Sequence, residues 1–297
     1  MYPAPFRYHR AESVSDAVSM LAEFGEGARA LAGGQTLLVL LKQRFDEPSD
    51  LVDLGRIPGL DGIEAVDGEV RIGALATHAR IAASAVAASI PIVGDCANGI
   101  ADNQVRSRGT MGGSLASGDP SCDWPALLHT LDARVQCQGP GGSRDLDING
   151  FVCDLYETVL EPGEIITGVR FAVPPAGSGG AYCVFKRAAP AYPTASVGVQ
   201  LTLNGDTVEN ARVAMGSAGL TPIRSQAAEA ELQGRALSDE SIENAAAAAA
   251  ADSDPLDDQR GSPEFKRHVL SALAKRAARI AQRRAKGEQV ENSHEYY

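Results

Sequence analysis

The sequence predicts an α+β protein that divides near residue 175. Three observations predict it. Short strand-like runs and amphipathic helical stretches alternate irregularly up to that point. Residues 173–180, VPPAGSGG, then break the pattern with prolines and glycines. Beyond them, strict apolar alternation at Val197, Val199, Leu201 and Leu203 gives way to helices.

The elements follow in order. Residues 13–24 should form an amphipathic helix. Ser13 and Asp16 have capping-box-like spacing, with Asp in place of Glu, and Val14, Val18, Leu21 and Phe24 share one stripe. Gly25 and Gly27 end it. A strand over 28–31 leads into Ala32-Gly33-Gly34-Gln35-Thr36, and a helical apolar run extends from Leu37 to Lys42. Strands are expected around 51–54 and 70–74. Thr77 is a good N-cap for one helix over HARIAASAVAAS, and another helix should cover 92–101. A second glycine turn comes next, Gly109-Thr110-Met111-Gly112-Gly113-Ser114. Residues 124–131 look helical, with Asp123 as N-cap and Pro125 in the first turn. Strands are expected at 133–137 and 164–172. After the linker, 181–187 reads as a strand. The alternating run turns at Asn204-Gly205-Asp206 and returns over 211–215, a β-hairpin. Ser238 caps an alanine-rich helix reaching 251, and a last helix runs from 263 to 286. The expected units are 1–57, 58–175 and 176–286. Residues 287–297 form a tail expected to be mobile or to act as a contact arm.

Composition narrows the function. The chain has 297 residues, 44% of them apolar, enough for one large core or a few modest ones. A net charge of −11 argues against a nucleic-acid partner, because phosphate binding needs a concentrated basic surface. The one basic cluster, 266–286, lies on a helical pattern and reads as a solvated face or a subunit contact. No apolar run is long enough for a membrane span, and the N-terminus lacks the apolar stretch of a secretory signal. Five scattered cysteines fit neither a disulfide framework nor a metal or cluster site. The histidines fall in no ligand spacing and read as surface or helix-end residues. A cytoplasmic protein with no metal site of its own is expected.

The two glycine turns carry the chemistry. Residues without Cβ let the backbone approach a ligand closely, and N–H groups at the next helix's start can point at an anion. Thr36, Thr110 and Ser114 add hydroxyls, and Gln35 adds an amide. One such turn is commonly only a turn. Two in one domain suggest a ligand with two phosphates, or one pyrophosphate gripped from both sides. Gly25-x-Gly27-x-x-Ala30 mimics the dinucleotide fingerprint, but it follows a helix and precedes a strand, the reverse of what that fingerprint needs.

These blocks resemble a known family. Ala32-Gly33-Gly34-Gln35-Thr36-Leu37-Leu38 resembles the "AGGxSLL" signature of the FAD-binding medium subunits of molybdenum hydroxylases, and residues 110–116 resemble their "TIGGNLA". Residues 119–126 look like "DPAADWPA", 105–109 like the "QVRNRGT" lead-in, and 160–166 like "LxPGElI". The resemblance runs from Pro5 to about Arg284 with every block in order. It implies an FAD fold of the vanillyl-alcohol-oxidase/p-cresol-methylhydroxylase type, in which two subdomains bind FAD and a C-terminal α+β domain completes the pocket. By the same resemblance, Ala32, Gly33, Gly34, Gln35 and Thr36, with Thr110, Gly112, Gly113 and Ser114, hold the pyrophosphate. Asp123 stands where the family has an acid near the cofactor. Ile165 or Ile166 packs on it through the backbone, Lys186 aligns with a lysine near the flavin, and Tyr192 with a stacking aromatic. Each also has a plainer reading: Asp123 as an N-cap, Lys186 as a strand-edge lysine, Tyr192 as packing beside Pro193. Arg106 and Arg108 could touch phosphate, touch a partner, or be solvated. Two departures stand out, Ser114 for the usual Asn and Ser117-Gly118 for a frequent His-Ala.

The resemblance also implies partners. A large subunit would carry molybdopterin and hydroxylate the substrate. A small subunit would carry two [2Fe–2S] clusters, and the whole would assemble as a dimer of heterotrimers. This chain, with no nucleophile–base constellation and no catalytic residue of its own, would pass electrons through FAD to an outside acceptor. The main alternative is a stand-alone FAD oxidase of the same fold, which would need its own substrate cavity with an acid or base.

Overall fold

Three β-sheets, each with its own helices, organise the chain. The structure is a computed structural model; it describes residues 2–292 and the backbone of 295–296. The first sheet holds β1 (Arg7–Arg10), β2 (Ala28–Leu31) and β3 (Asp50–Asp53), all parallel in the order β1-β3-β2. Helix α1 (Val14–Phe24) crosses from β1 to β2. Half of the expected box forms: Asp16 N–H donates to Ser13 Oγ, while the Asp16 carboxylate accepts from Glu12 N–H and not from that of Ser13. Helix α2 (Leu37–Gln43) crosses from β2 to β3. The small core under this sheet includes Val18, Leu21, Val52 and Leu60, and is completed by Ile165 from far along the chain.

The second sheet has strands β4 (Ile63–Val66), β5 (Glu69–Gly73), β6 (Arg134–Gly139), β7 (Gly142–Asp147) and β10 (Ile165–Ala172), in the order β4-β5-β10-β6-β7. A small hairpin of β8 (Val152–Asp154) and β9 (Glu157–Thr158) stands apart. The single helix expected after Thr77 is two, α3 (His78–Ala82) and α4 (Ala85–Ser89). Ser84 divides them. Its hydroxyl accepts from Ala87 N–H and donates to Ile81 O, so it starts a new helix instead of continuing the old one. Four further helices follow: α5 (Pro91–Gly99), α6 (Asn103–Arg106), α7 (Met111–Ala116) and α8 (Asp123–Thr130). Strands β4, β7, β8 and β9 and helices α6 and α7 are too short or too polar to stand out in the sequence pattern.

The third sheet is built on the expected hairpin, β12 (Ala195–Asn204) with β13 (Thr207–Gly216), flanked by β11 (Ser178–Lys186) and β14 (Ile223–Arg224). Helices α9 (Gln226–Leu232), α10 (Asp239–Asp252) and α11 (Pro263–Ala285) cover one face. The other face meets the second unit, since Tyr182 and Val184 of β11 belong to the core around Trp124. The basic cluster on α11 is largely consumed within the chain. Lys266 is buried against Leu256 O and Asp258, Lys275 meets Glu243, and Arg279 meets Asp239. Part of the tail packs on this unit: β15 (Glu295–Tyr296) pairs in parallel with Phe185–Lys186. Residues 293, 294 and 297 of the tail lie outside the described residues. Among the described residues, no helix is long and apolar enough to cross a membrane.

One ion pair fastens the second unit to the third. The Arg284 guanidinium donates to both Asp95 oxygens, at 2.6 and 3.0 Å, and to the carbonyls of Gly180 and Val290. Asp95 also accepts from Tyr182 N–H, and both side chains of the pair are buried. Removing one member of such a pair strands a charge without water. Arg284→Met should therefore lower the unfolding free energy by about 3–5 kcal/mol, measured by urea denaturation. Adding Asp95→Asn should recover part of the loss. A double variant as weak as the single one would show that the pair does not hold this seam.

Candidate functional site

The first glycine turn lies between β2 and α2, and the second leads from α6 into the first turn of α7. The structure brings them into backbone contact. A Cβ on Gly33 would lie 2.0 Å from Arg108 O and 3.1 Å from Gly109 Cα, so only glycine fits there. Ala32 faces Gly113 across the same contact. The two turns differ in what their N–H groups do. In the second, Met111 N–H donates to Ala76 O, Gly112 N–H to Ala74 O, and Gly113 N–H to the capping Thr110 hydroxyl. These bonds seat the turn on the second unit, and Gly112 is pressed against Ala74 too closely for any side chain. In the first, the N–H groups of Gly33, Gly34, Gln35 and Thr36 have no acceptor among the described residues. Successive free amides in a turn form a concave site for an anion.

The other expected residues fall into three places. Tyr192, about half exposed, comes from the loop between β11 and β12, and its hydroxyl lies near Thr36, which opposes the upward push that burial gives the phenol. It thus reaches from the third unit to the first turn. Ser114 and Ser117 face Cys122, and burial pushes that thiol up to about 12, so it stays protonated. Asp123 and Lys186 lie together inside the seam between the second and third units. Lys186 is wholly buried and donates to Gly99 O, which rules out a solvated strand-edge lysine. Asp123 is not the N-cap of α8. Cys122 holds that position, and Asp123 is the first helical residue, its carboxylate within 3.2 Å of the Tyr182 hydroxyl. Burial raises the Asp123 pKa, while Lys186 and Tyr182 oppose the shift. Ile165 and Ile166 point into the first and second cores, and their strand pairs with Gln138 and Cys137. Thr167, beside them, is linked to the second turn through Ala74, whose N–H donates to Thr167 O and whose carbonyl accepts from Gly112 N–H.

Several residues here carried no signal in the sequence. The Tyr182 hydroxyl lies 2.9 Å from Ser196 Oγ and 3.1 Å from Asp123 O, which makes it the hub of the buried cluster. Arg260, from the loop before α11, donates to Ser121 Oγ and Pro193 O and pins the Tyr192 loop. Arg106 is structural, since its guanidinium donates to Ile100 O and Ala101 O, whereas the Arg108 side chain is exposed. His78 and His129 sit at helix ends as expected, but both are buried. His78 Nδ1 accepts from Trp124 Nε1–H at 3.0 Å, and its other nitrogen faces Gly109 of the second turn. Among the described residues, no three His, Cys, Asp or Glu side chains are grouped to hold a metal.

Known proteins resemble this chain along nearly its whole length. Residues 4–174 match the FAD binding domain in molybdopterin dehydrogenase, and residues 180–281 match the CO dehydrogenase flavoprotein C-terminal domain. The carbon monoxide dehydrogenase medium chain of Afipia carboxidovorans is 39% identical over 287 residues, 96% of this chain and 100% of that one. The 6-hydroxypseudooxynicotine dehydrogenase complex subunit alpha of Paenarthrobacter nicotinovorans is 36% identical over 96% of this chain and 97% of its own length. Among solved structures, a chain of carbon monoxide dehydrogenase from Hydrogenophaga pseudoflava superposes with a TM-score of 0.93 at 38% identity, covering 96% of this chain and 99% of that one.

The buried histidine behind the second turn gives a pH test. Burial lowers the His78 pKa from 6.5 to about 4. The folded state therefore resists a proton that the unfolded chain accepts. The stabilising difference is complete above about pH 6.5 and is lost as pH falls through about 4. It amounts to roughly 3 kcal/mol at most, from the 1.36 kcal/mol that one pKa unit represents. His78→Asn, which keeps an acceptor for Trp124, should flatten the fall in stability between pH 6.5 and 4. Denaturation curves across that range would show it.

Proposed function

The chain belongs to the FAD-binding subunit family of the molybdopterin dehydrogenases, and from that membership we propose how its residues serve an electron-transfer subunit. The observation that carries the reading is the set of four free amides from Gly33 to Thr36, in a turn packed backbone to backbone on a second one. That arrangement fits a pyrophosphate, whose oxygens would accept from those amides without displacing any existing bond. Ala32 would flank these amides, and Thr110, Gly112, Gly113 and Ser114 of the second turn would form the other wall. Bound FAD supplies one- and two-electron transfer. The rest is the work of this chain. Ile165 and Ile166 would bound the cofactor through their strand backbone. Asp123 and Lys186 would set the local charge near the flavin, and Tyr192 would shield it from the side of Thr36.

The electrons come from a partner in this reading. No group of ligating side chains among the described residues could hold an iron–sulfur cluster. We infer a small subunit with two [2Fe–2S] clusters as donor and a large molybdopterin subunit as the place of substrate hydroxylation. The relatives named as a medium chain and a complex subunit support this. The assembly would be a dimer of heterotrimers in the cytoplasm, and the acceptor a small oxidant or carrier. The substrate belongs to the large subunit.

Two measurements test the reading. The full chain should bind FAD, seen as quenching of flavin fluorescence, and should show no substrate turnover without partner subunits. Gly33→Ala drives a methyl group into Arg108 O and should weaken FAD binding at least about tenfold, or roughly 1.4 kcal/mol, with the circular dichroism spectrum kept. Turnover by the chain alone, or unchanged FAD affinity in Gly33→Ala, would refute it.

A further inference from the structure

Asp119 lies in the loop between α7 and α8 and is 7% exposed. Its Oδ1 accepts from Ser121 N–H at 2.8 Å. Its Oδ2 meets no donor among the described residues, yet it is not sealed from solvent. A nearly buried carboxylate with one reachable, unpaired oxygen is costly, and it suits a donor that arrives with a ligand. The loop around it is held still. Asp119 N–H donates to Ser117 Oγ, Ser117 Oγ donates to Ser114 O of the second turn, and Arg260 holds Ser121. Gly118 has φ +58°, and its carbonyl accepts from Tyr156 N–H at 3.0 Å. A Cβ on Gly118 would lie 2.7 Å from Glu157 N, so the β8–β9 hairpin is pressed against this loop.

Two phenols lie near the same carboxylate. Asp119 is the strongest influence on Tyr156 and raises its pKa. Burial raises that of Tyr192, and the Cys122 thiol and Asp119 add to the rise. Tyr156 is 65% exposed and Tyr192 46%, so both rings border open space. The Tyr192 hydroxyl also lies near Thr36 of the first turn. Asp119 is thus joined to the second turn through Ser117 and Ser114, and it neighbours the first through Tyr192. A carboxylate repels phosphate and offers only acceptors, so its match in that space is a hydroxyl donor. FAD has such donors on either side of its pyrophosphate, the ribose of the adenosine and the ribityl chain of the flavin. In the reading above Tyr192 stands on the flavin side, which favours the ribityl chain.

We propose that Asp119 is a specificity-determining contact for the ribityl chain of the flavin, its free oxygen accepting from a ribityl hydroxyl. The inference rests on the FAD reading above and deepens it by assigning a carboxylate to the sugar-like part of the cofactor, apart from the amides that take the pyrophosphate. The test measures dissociation constants of the full chain for FAD and for an FAD analogue whose ribityl hydroxyls are replaced by hydrogen. The parent chain should bind the analogue at least about tenfold more weakly than FAD, the size of one hydrogen bond to a charged group. Asp119→Ser keeps a hydroxyl for the turn at Ser121 but lacks the second oxygen. It should bind FAD about tenfold more weakly than the parent, with the circular dichroism spectrum kept and with most of the discrimination against the analogue lost. Should serine unsettle the loop, Asp119→Asn, which keeps an acceptor for Ser121 N–H, carries the same comparison. Equal binding of FAD and the analogue by the parent chain would overturn the proposal. So would discrimination that survives in the variant, because the hydroxyls would then be read elsewhere. Tighter binding of both ligands by the variant would also overturn it, since that is the effect of merely removing a negative charge near the pyrophosphate. Failure of the parent chain to bind FAD would instead remove the reading on which the inference rests.

Discussion

The contact of Gly33 with the carbonyl of Arg108 is the constraint on which the site depends. Backbone against backbone leaves no room for a side chain, and it joins a turn of the first unit to a turn of the second. The two are then unequal in a useful way. The second is bonded inward through Met111, Gly112 and Gly113, so it acts as a fixed wall. The first keeps its amides free. A rigid support beside unpaired donors is what anion recognition needs, because the donors are positioned before the ligand arrives.

Behind the turns, the third unit supplies the polar interior. One face of β11 and β12 puts Tyr182, Lys186 and Ser196 against Asp123 at the head of α8. Each group there has a partner from another element, so the charge state of Asp123 is set by burial opposed by a lysine and a phenol. Arg284 and Asp95 tie the same strand from its other end. The seam is thus polar in its middle and clamped at its margin, which keeps its side chains in fixed orientations.

What could be read in the sequence was local chemistry. Glycine pairs announce close backbone approach wherever they occur, and the hairpin at Asn204-Gly205 and the caps at Ser13 and Ser238 use short-range signals. The family motifs joined these into a fold that the comparisons support. Other features needed the third dimension. Asp123 read as a cap because aspartate suits that position, yet the helix starts one residue earlier and the carboxylate turns to Tyr182. Ser84 split a helix whose apolar pattern ran straight through it. Tyr182, Ser196 and Arg260 are ordinary in sequence, since strand alternation tells which residues share a face but not what that face will meet. His78 looked exposable because histidine usually is, and only the Trp124 indole explains its burial.

The cores are not sealed within their own stretches of chain. The cluster under the first sheet is completed by Ile165, and the cluster around Trp124 by Tyr182 and Val184. During synthesis on the ribosome, the N-terminal sheet would wait for more than half the polypeptide to emerge before its apolar floor closed. The central layer would wait in turn for the strand that follows it. Maturation would proceed as a staggered series, each layer capped by the next, and nascent chains stalled midway would present unfinished apolar surface to chaperones.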